Sequence, residues 1–470
     1  MKHASLLVAA LLLTSSTLLN AAESSKPGRR PNIVLIYADN LGFGDLGCYG
    51  NQDIKTPRID QLAREGVRCS DFYVVSPTCT VSRGAILTGR QPLRNGLTHQ
   101  LVTSENWTGI GLPHRERIIP QYLKDAGYET ACFGKWNIGF APGSRPTERG
   151  FDEFLGCRSG NIHYFKHTYH GEYDIFKGTE LHRVEGYSTD IFADAACDYI
   201  RRKAGRPFFV YLPFNAPHYV STVNTSPGEK PEWHVPGKYL ERYGWPADDQ
   251  TEKHRYLALL TALDDAVGRV LDTLEANGQR DNTLVMFISD MGAILRPTHG
   301  LGVASNAPFR DGAPSLYEGG IRVPAIFRWP GKLKPGTLSQ EMLSHLDVLP
   351  LCLAATGAEP LSDRVLDGRD PLATLAGTAR SPHKRLVFTY RTASALREGS
   401  LKIVRDADTK PWELYDLAQD PGESKNLASE RAADVERLDA AYRTWLAGVR
   451  RDASEPAPRP LKAKAKSAKP

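Results

Sequence analysis

Residues Pro31-Asn32-Ile33-Val34-Leu35-Ile36-Tyr37-Ala38-Asp39-Asn40 form an apolar run that ends in an acid and an amide. Asn282-Thr283-Leu284-Val285-Met286-Phe287-Ile288-Ser289-Asp290-Met291 repeats the design, again with an acid at its end. Continuous apolar runs rich in β-branched residues read as strands buried on both faces. In a parallel α/β sheet, ligands bind beyond the carboxyl ends of the strands. Asp39 and Asp290 are therefore expected at one rim. Hard oxygen ligands gathered at one point suggest Ca²⁺ or Mg²⁺. The plainer alternative for each is a turn residue at a strand end.

The segment Ser76-Pro77-Thr78-Cys79-Thr80-Val81-Ser82-Arg83-Gly84-Ala85-Ile86-Leu87-Thr88-Gly89-Arg90 can arrive at the same rim. Cys79 follows a proline-containing turn and opens a helical pattern. Arg83 follows one turn later on the same face. A helix N-terminus offers free N–H groups and a positive dipole end. A nucleophile placed there beside an arginine is suited to meet an anion. Taken alone, Cys79 could equally be a small buried residue at a helix start.

The remaining pattern divides the chain. Phe208 to Leu212 reads as another strand, leading into Pro217-His218, and Tyr256 to Asn277 reads as a helix closed by Gly278. A large domain is expected over residues 31–357. A second unit over 358–450 has strands at Arg385 to Tyr390, Ala395 to Arg405 and Trp412 to Leu417, then a terminal helix from Ala428 to Arg450. Residues 1–22 have a basic start, an apolar centre and small residues near Ala22, as a secretory signal peptide does. Residues 23–30 read as a linker, and the Ala/Lys/Pro-rich stretch 451–470 as a disordered basic tail. Export to a periplasm or the exterior is expected.

Composition excludes several classes. Hydrophobic content of 41% and charged content of 24% are those of an ordinary globular protein, and 470 residues suffice for a large core. The net charge of +5 owes part of its value to the tail, and no nucleic-acid module is present. After the N-terminal segment no apolar run is long enough to span a bilayer. Seven cysteines do not make a disulfide framework in a chain this long, and their odd number leaves at least one unpaired, with Cys79 the candidate. Asn106-Trp107-Thr108 and Asn224-Thr225-Ser226 match glycosylation sequons.

Further segments carry a resemblance. Ala38 to Gly50, Cys79 to Arg90, Gly134-Lys135-Trp136-Asn137-Ile138-Gly139, Arg149 to Phe154 and Ala216-Pro217-His218 stand in the first half. Ser289-Asp290-Met291-Gly292, Tyr317 to Pro324, Leu414 to Leu417 and Asp420 to Glu423 follow. In this order they resemble type I, formylglycine-dependent sulfatases of the arylsulfatase and N-acetylgalactosamine-6-sulfatase kind, over residues 31–450. The resemblance implies an α/β, alkaline-phosphatase-like sulfatase fold. That is a large, mixed, mostly parallel sheet flanked by helices, with a small C-terminal antiparallel sheet domain. It implies that Cys79 is the precursor of formylglycine, made by a formylglycine-generating enzyme. The hydrated aldehyde would attack the sulfur of a sulfate ester while Ca²⁺ acts as Lewis acid. Arg83 falls on the stabilising position, Lys135 and His218 on sulfate-binding and proton-transfer positions, and Asp39, Asn40 and Asp290 on metal positions. Asn137 and His163, the latter in a loop that contacts substrate in relatives, and Arg310 fall on or near substrate-binding positions. Sulfated glycans or small aryl sulfates are the implied partners.

Five positions depart from that pattern. Asn40 replaces an aspartate, Met291 an asparagine, Asn137 a histidine and Ala313 a lysine, while Val81 replaces the Pro or Ala of the maturation motif. A thioether suits a hard cation poorly, and an amide has no proton to exchange near neutrality. Losing one preorganised electrostatic group costs roughly 10²–10³ in rate. The expectation is a sulfatase-fold protein whose hydrolysis is weak or lost. Two alternatives stay open: an active hydrolase in which His163, His299 or Arg310 compensates, and a non-catalytic binder of sulfated glycans. A phosphatase or phosphonate hydrolase would need clustered His and Asp for two metals, which the strand ends lack.

Overall fold

The structure is a computed structural model that describes residues 30–101, 111–203, 205–221, 224–225, 233–295 and 302–455. The expected signal peptide, nearly all of the linker, most of the basic tail, the sequon at Asn106, the last residue of the sequon at Asn224 and His299 lie outside the described residues.

Five strands build the centre: β1 (Asn32–Ala38), β2 (Glu129–Lys135), β3 (Glu153–Cys157), β4 (Phe208–Pro213) and β5 (Thr283–Ser289). They run parallel in the spatial order β5-β1-β4-β2-β3. Ala325–Arg328 joins β5 antiparallel, followed outward by Val67–Cys69 and Thr337–Ser339. Phe176–Lys177 and Glu180–Leu181 extend the other edge, which gives a mixed ten-stranded sheet.

Every residue of β1 is buried, as its continuous apolar run requires. Ile33, Leu35 and Tyr37 pack with Ile86, Leu87 and Leu349 on one face, and Val34, Ile36 and Ala38 pack with Leu259, Leu263 and Phe192 on the other. Helix α1 (Cys79–Thr88) lies on the first face, and α2 (Ser188–Arg202) and α3 (Glu252–Ala276) on the second. Helix α1 ends where Gly89 turns left-handed, at φ 63°, and its N–H caps Ala85 O. Helix α3 starts one turn before the position read from sequence, because Thr251 and the first-turn acid Glu252 suit a helix N-terminus.

A four-stranded antiparallel sheet follows: Arg385–Tyr390, Ala393–Glu398, Leu401–Arg405 and Glu413–Asp416. The stretch Ala395 to Arg405 is thus two strands, because Gly399, at φ 61°, folds it into a hairpin. Leu386, Phe388 and Val404 face the core of the large sheet, while Val387, Leu396 and Ile403 pack against Leu438 and Tyr442 of helix α4 (Ala432–Arg451). Helix α4 begins four residues later than its sequence pattern suggests, since Glu430 and Arg431 turn back onto Leu427 O.

Buried charge joins the small sheet to the large one. Lys402 on the third strand is fully buried and lies 2.9 Å from Glu318 and 2.8 Å from Glu423. Tyr73 donates to Glu318 at 2.6 Å, and Arg397 pairs with Asp71 at 2.9 Å. Breaking a buried pair from one side strands the partner charge, at a cost of about 3–5 kcal/mol. Lys402→Ala is expected to lower unfolding free energy by about that amount in a urea titration. Lys425→Ala, which removes an exposed pair with Glu430, should change it by less than about 1 kcal/mol.

Candidate functional site

Asp39 and Asp290 directly follow the neighbouring strands β1 and β5, and the N-terminus of α1 brings Cys79 between them. Asn40 adopts a left-handed backbone, at φ 64°, which asparagine tolerates better than most residues. That turn lets its N–H donate to Asp290 Oδ1 at 3.0 Å. The Cys79 thiol donates to Asp39 Oδ1 at 3.3 Å and lies 3.8 Å from Asn40 Oδ1. Lys135, at the end of β2, lies 2.6 Å from Asp39 Oδ2. Arg83 donates to Asp290 Oδ2 at 2.8 Å and to Lys135 O at 3.1 Å, and approaches Asp39 to 3.6 Å. All four charged side chains are fully buried.

His218 closes the cluster on a half-buried side. Its ring, the Asp39 carboxylate and the Cys79 sulfur offer donor atoms within 4.8 Å of one another. Its Nδ1 donates to Tyr219 O at 2.7 Å, which leaves Nε2 with its lone pair. Burial, then the Lys135 charge, push its pKa down to about 3, so the imidazole is neutral at ordinary pH. Burial, then Asp39, raise Asp290 to about 7. Burial, then Asp39, hold the Cys79 thiol far above its usual value. Burial opposes the Lys135 charge, yet Asp39, Cys79 and Asp290 together outweigh it, and Lys135 lies above its usual range.

The positions that depart from the sulfatase pattern expected from sequence are all buried. Asn137 is fully buried, and among the described residues neither polar atom of its amide has a hydrogen-bond partner. The amide nitrogen of Asn40 is likewise buried and, among the described residues, unpartnered. Met291 packs in the apolar core, and Ala313 is buried with only a methyl to offer. His163 and Arg310 belong to other contacts. His163 Nδ1 accepts the N–H groups of Phe165 and Lys166, each at 3.1 Å, and its ring lies 4.6 Å from that of His234. Arg310 donates to Tyr415 Oη and Glu423 O and stacks over Tyr317. Its partners are therefore in the C-terminal segment rather than at the neighbouring Asp311.

A supporting layer had no recognisable signal in the sequence. Tyr37 Oη and Ser82 Oγ are 2.9 Å apart, and Ser82 Oγ lies 3.2 Å from His345 Nδ1. His345 Nε2 accepts the Val75 N–H at 3.2 Å, and burial keeps this imidazole neutral by lowering it to about 3. The network ties α1 to β1 directly beneath Arg83, whose guanidinium lies 5.4 Å from the Tyr37 ring. All seven thiols are unpaired, Cys79 among them.

The donor set suits a hard divalent cation poorly. Its oxygen donors are two carboxylates and one neutral amide, those of Asp39, Asp290 and Asn40, whereas Ca²⁺ takes 6–8 oxygens. Each carboxylate already has a cationic partner, Lys135 for Asp39 and Arg83 for Asp290. The four formal charges sum to zero before any ion enters. What the cluster does offer is a pair of buried cations beside a thiol and a neutral imidazole, an arrangement suited to holding an anion.

Fold and site together define the class: the chain belongs to the sulfatase family. The family model "Sulfatase" matches residues 31–358, and "N-sulphoglucosamine sulphohydrolase, C-terminal" matches residues 313–444. Among relatives, N-acetylgalactosamine-6-sulfatase of Homo sapiens is 33% identical over 433 residues, covering 86% of this chain and 77% of that protein. Arylsulfatase A of Homo sapiens is 33% identical over 499 residues, covering 93% and 92%. The crystal structure of Ps i-CgsB superposes with a TM-score of 0.81 at 30% identity, covering 91% of this chain and 94% of that one.

Arg83 is expected to be as important to stability as to binding. Arg83→Gln leaves Asp290 buried without its cation and should lower unfolding free energy by about 3–5 kcal/mol. Chemical denaturation followed by tryptophan fluorescence checks this.

Proposed function

We propose that the protein recognises sulfate esters, of sulfated carbohydrates or aryl sulfates, and that its hydrolysis of them is weak or lost. The observation that carries this reading is the contrast within one cluster. Arg83, Lys135 and His218 keep an anion-binding set, while Asn40, Asn137, Met291 and Ala313 have lost charge, hard ligand or proton. The sulfatase relatives support the substrate class. The structural neighbour Ps i-CgsB was also solved in complex with k-i-k-neocarrahexaose, which favours a glycan over a small aryl sulfate.

In this reading the residues act as follows. Arg83 and Lys135 neutralise the sulfate charge, which buried donors do far better than exposed ones. His218 contributes a neutral imidazole. Asn137 offers unpaired amide atoms to the ester in place of an exchangeable proton. Val81 follows Cys79 where a formylglycine-generating enzyme reads its motif, so Cys79 stays a thiol. Calcium, where bound at Asp39, Asn40 and Asp290, is held weakly. The N-terminal segment directs export. Compensation by Arg310 finds little support, because its guanidinium is committed to Tyr415, Glu423 and Tyr317.

The test is co-expression with a formylglycine-generating enzyme, mass spectrometry of the Cys79 peptide, and assays of sulfated-glycan binding and sulfate release. Expected are an intact thiol, measurable binding and no release above background. Conversion with turnover at the rate of a control sulfatase overturns the reading. The variant V81P combined with N40D, N137H, M291N and A313K restores the family pattern. It should raise sulfate release by at least about 10²-fold, the effect of a single preorganised group.

A further inference from the structure

We propose that Cys79 Sγ, His218 Nε2 and Asp39 Oδ1 form a binding site for a zinc-class transition-metal ion, distinct in donors and chemistry from a calcium site. The inference rests on the reading above in one respect, that Cys79 remains a thiol. Thiolate, imidazole and carboxylate are the three ligand types of zinc sites, and three protein ligands with one open position is the pattern of catalytic ones. The donor atoms already lie within 4.8 Å of one another, and Cys79 Sγ is 3.3 Å from Asp39 Oδ1. A tetrahedral ion with the usual bond lengths needs separations of roughly 3.5 Å, so only the longer gaps must close.

Two further observations point to a metal. His218 donates Nδ1–H to the Tyr219 carbonyl at 2.7 Å. That bond fixes the tautomer whose Nε2 lone pair is free, and a second-sphere carbonyl on the far nitrogen is the usual partner of a metal-bound histidine. The Asn40 amide is also buried, with its oxygen 3.8 Å from Cys79 Sγ and its nitrogen unpartnered. It stands beside the site as a neutral donor to a bound water or anion.

Charge separates this site from a calcium site. Arg83, Lys135, Asp39 and Asp290 balance among themselves. Ca²⁺ would add two uncompensated charges to a buried cluster. A zinc-class ion binds with loss of the Cys79 proton, which adds one. A bound anion in the fourth position then neutralises it. Lys135 can stay on Asp39 Oδ2 at 2.6 Å while Oδ1, the oxygen facing the thiol, takes the ion. The half-buried side of His218 gives the ion a way in.

The experiment uses the full chain, with the Cys79 peptide first checked by mass spectrometry. The protein is stripped with chelator, then titrated with Zn²⁺, Ca²⁺ and Co²⁺. Expected are one Zn²⁺ per chain, release of one proton on binding, no Ca²⁺ binding of comparable affinity, and a thiolate-to-cobalt charge-transfer band. Cys79→Ser should abolish the band and weaken Zn²⁺ binding by more than about 100-fold, beyond what outer-sphere changes usually cost. His218→Gln should weaken it similarly, and Cys48→Ser, which removes the partly exposed thiol, should leave it unchanged. Circular dichroism melts confirm that the variants fold. A verified thiol with no Zn²⁺ binding, or binding that survives Cys79→Ser, overturns the zinc site and leaves the sulfate-ester reading standing. Formylglycine at position 79 overturns the zinc site, while the sulfate-ester reading falls only if turnover at the rate of a control sulfatase accompanies it.

Discussion

The pairing of four buried charges at the ends of three parallel strands governs the rest of the structure. Asp39, Asp290, Lys135 and Arg83 have no exposure to solvent, and an isolated charge there would cost several kcal/mol. Each strand must therefore end in register with its neighbours, and α1 must start where Arg83 can reach Asp290. The backbone follows suit. Asn40 turns left-handed to place its N–H on Asp290, and Asp290 N–H returns to Ala38 O. The Tyr37–Ser82–His345 network holds the helix at that depth. Chemistry at the rim depends on the same geometry, because cations committed to carboxylates can turn to an anion without moving far.

The sequence made the central strands and the site's first members legible for one physical reason. A parallel strand buried on both faces needs an unbroken apolar run, so the polar residue that ends it stands out. Asp39 and Asp290 could be read that way, and Cys79 and Arg83 from their spacing on one helix. The partners of Arg310 could not be read, since Tyr415 and Glu423 lie more than a hundred residues away. Nor could the Tyr37–His345 contact, whose members are 308 residues apart. Short-range signals misled in smaller ways too. The alternation from Ala395 to Arg405 hid a hairpin that only Gly399 betrayed, and the apolar spacing of the last helix ran on into a turn at Leu427.

Family membership and local chemistry point in different directions at the rim. The fold, its strand order and nearly the whole chain length agree with sulfatase relatives. At the rim itself, Asn40, Asn137, Met291 and Ala313 are uncharged residues, two amides, a thioether and a methyl. Under the proposed function these residues serve a hard cation and proton transfer poorly, while Arg83 and Lys135 supply the two cations for an anion.

Lys402 has a meaning beyond the energy of its two ion pairs. Glu318 belongs to the segment that follows Ala313, while Lys402 and Glu423 come from the C-terminal stretch, and all three are sealed from water. Neither half can be exchanged for a foreign counterpart unless the replacement brings a matching charge at the same depth. The two sheets therefore behave as one piece: a change at any of these three positions is felt on both sides of the seam.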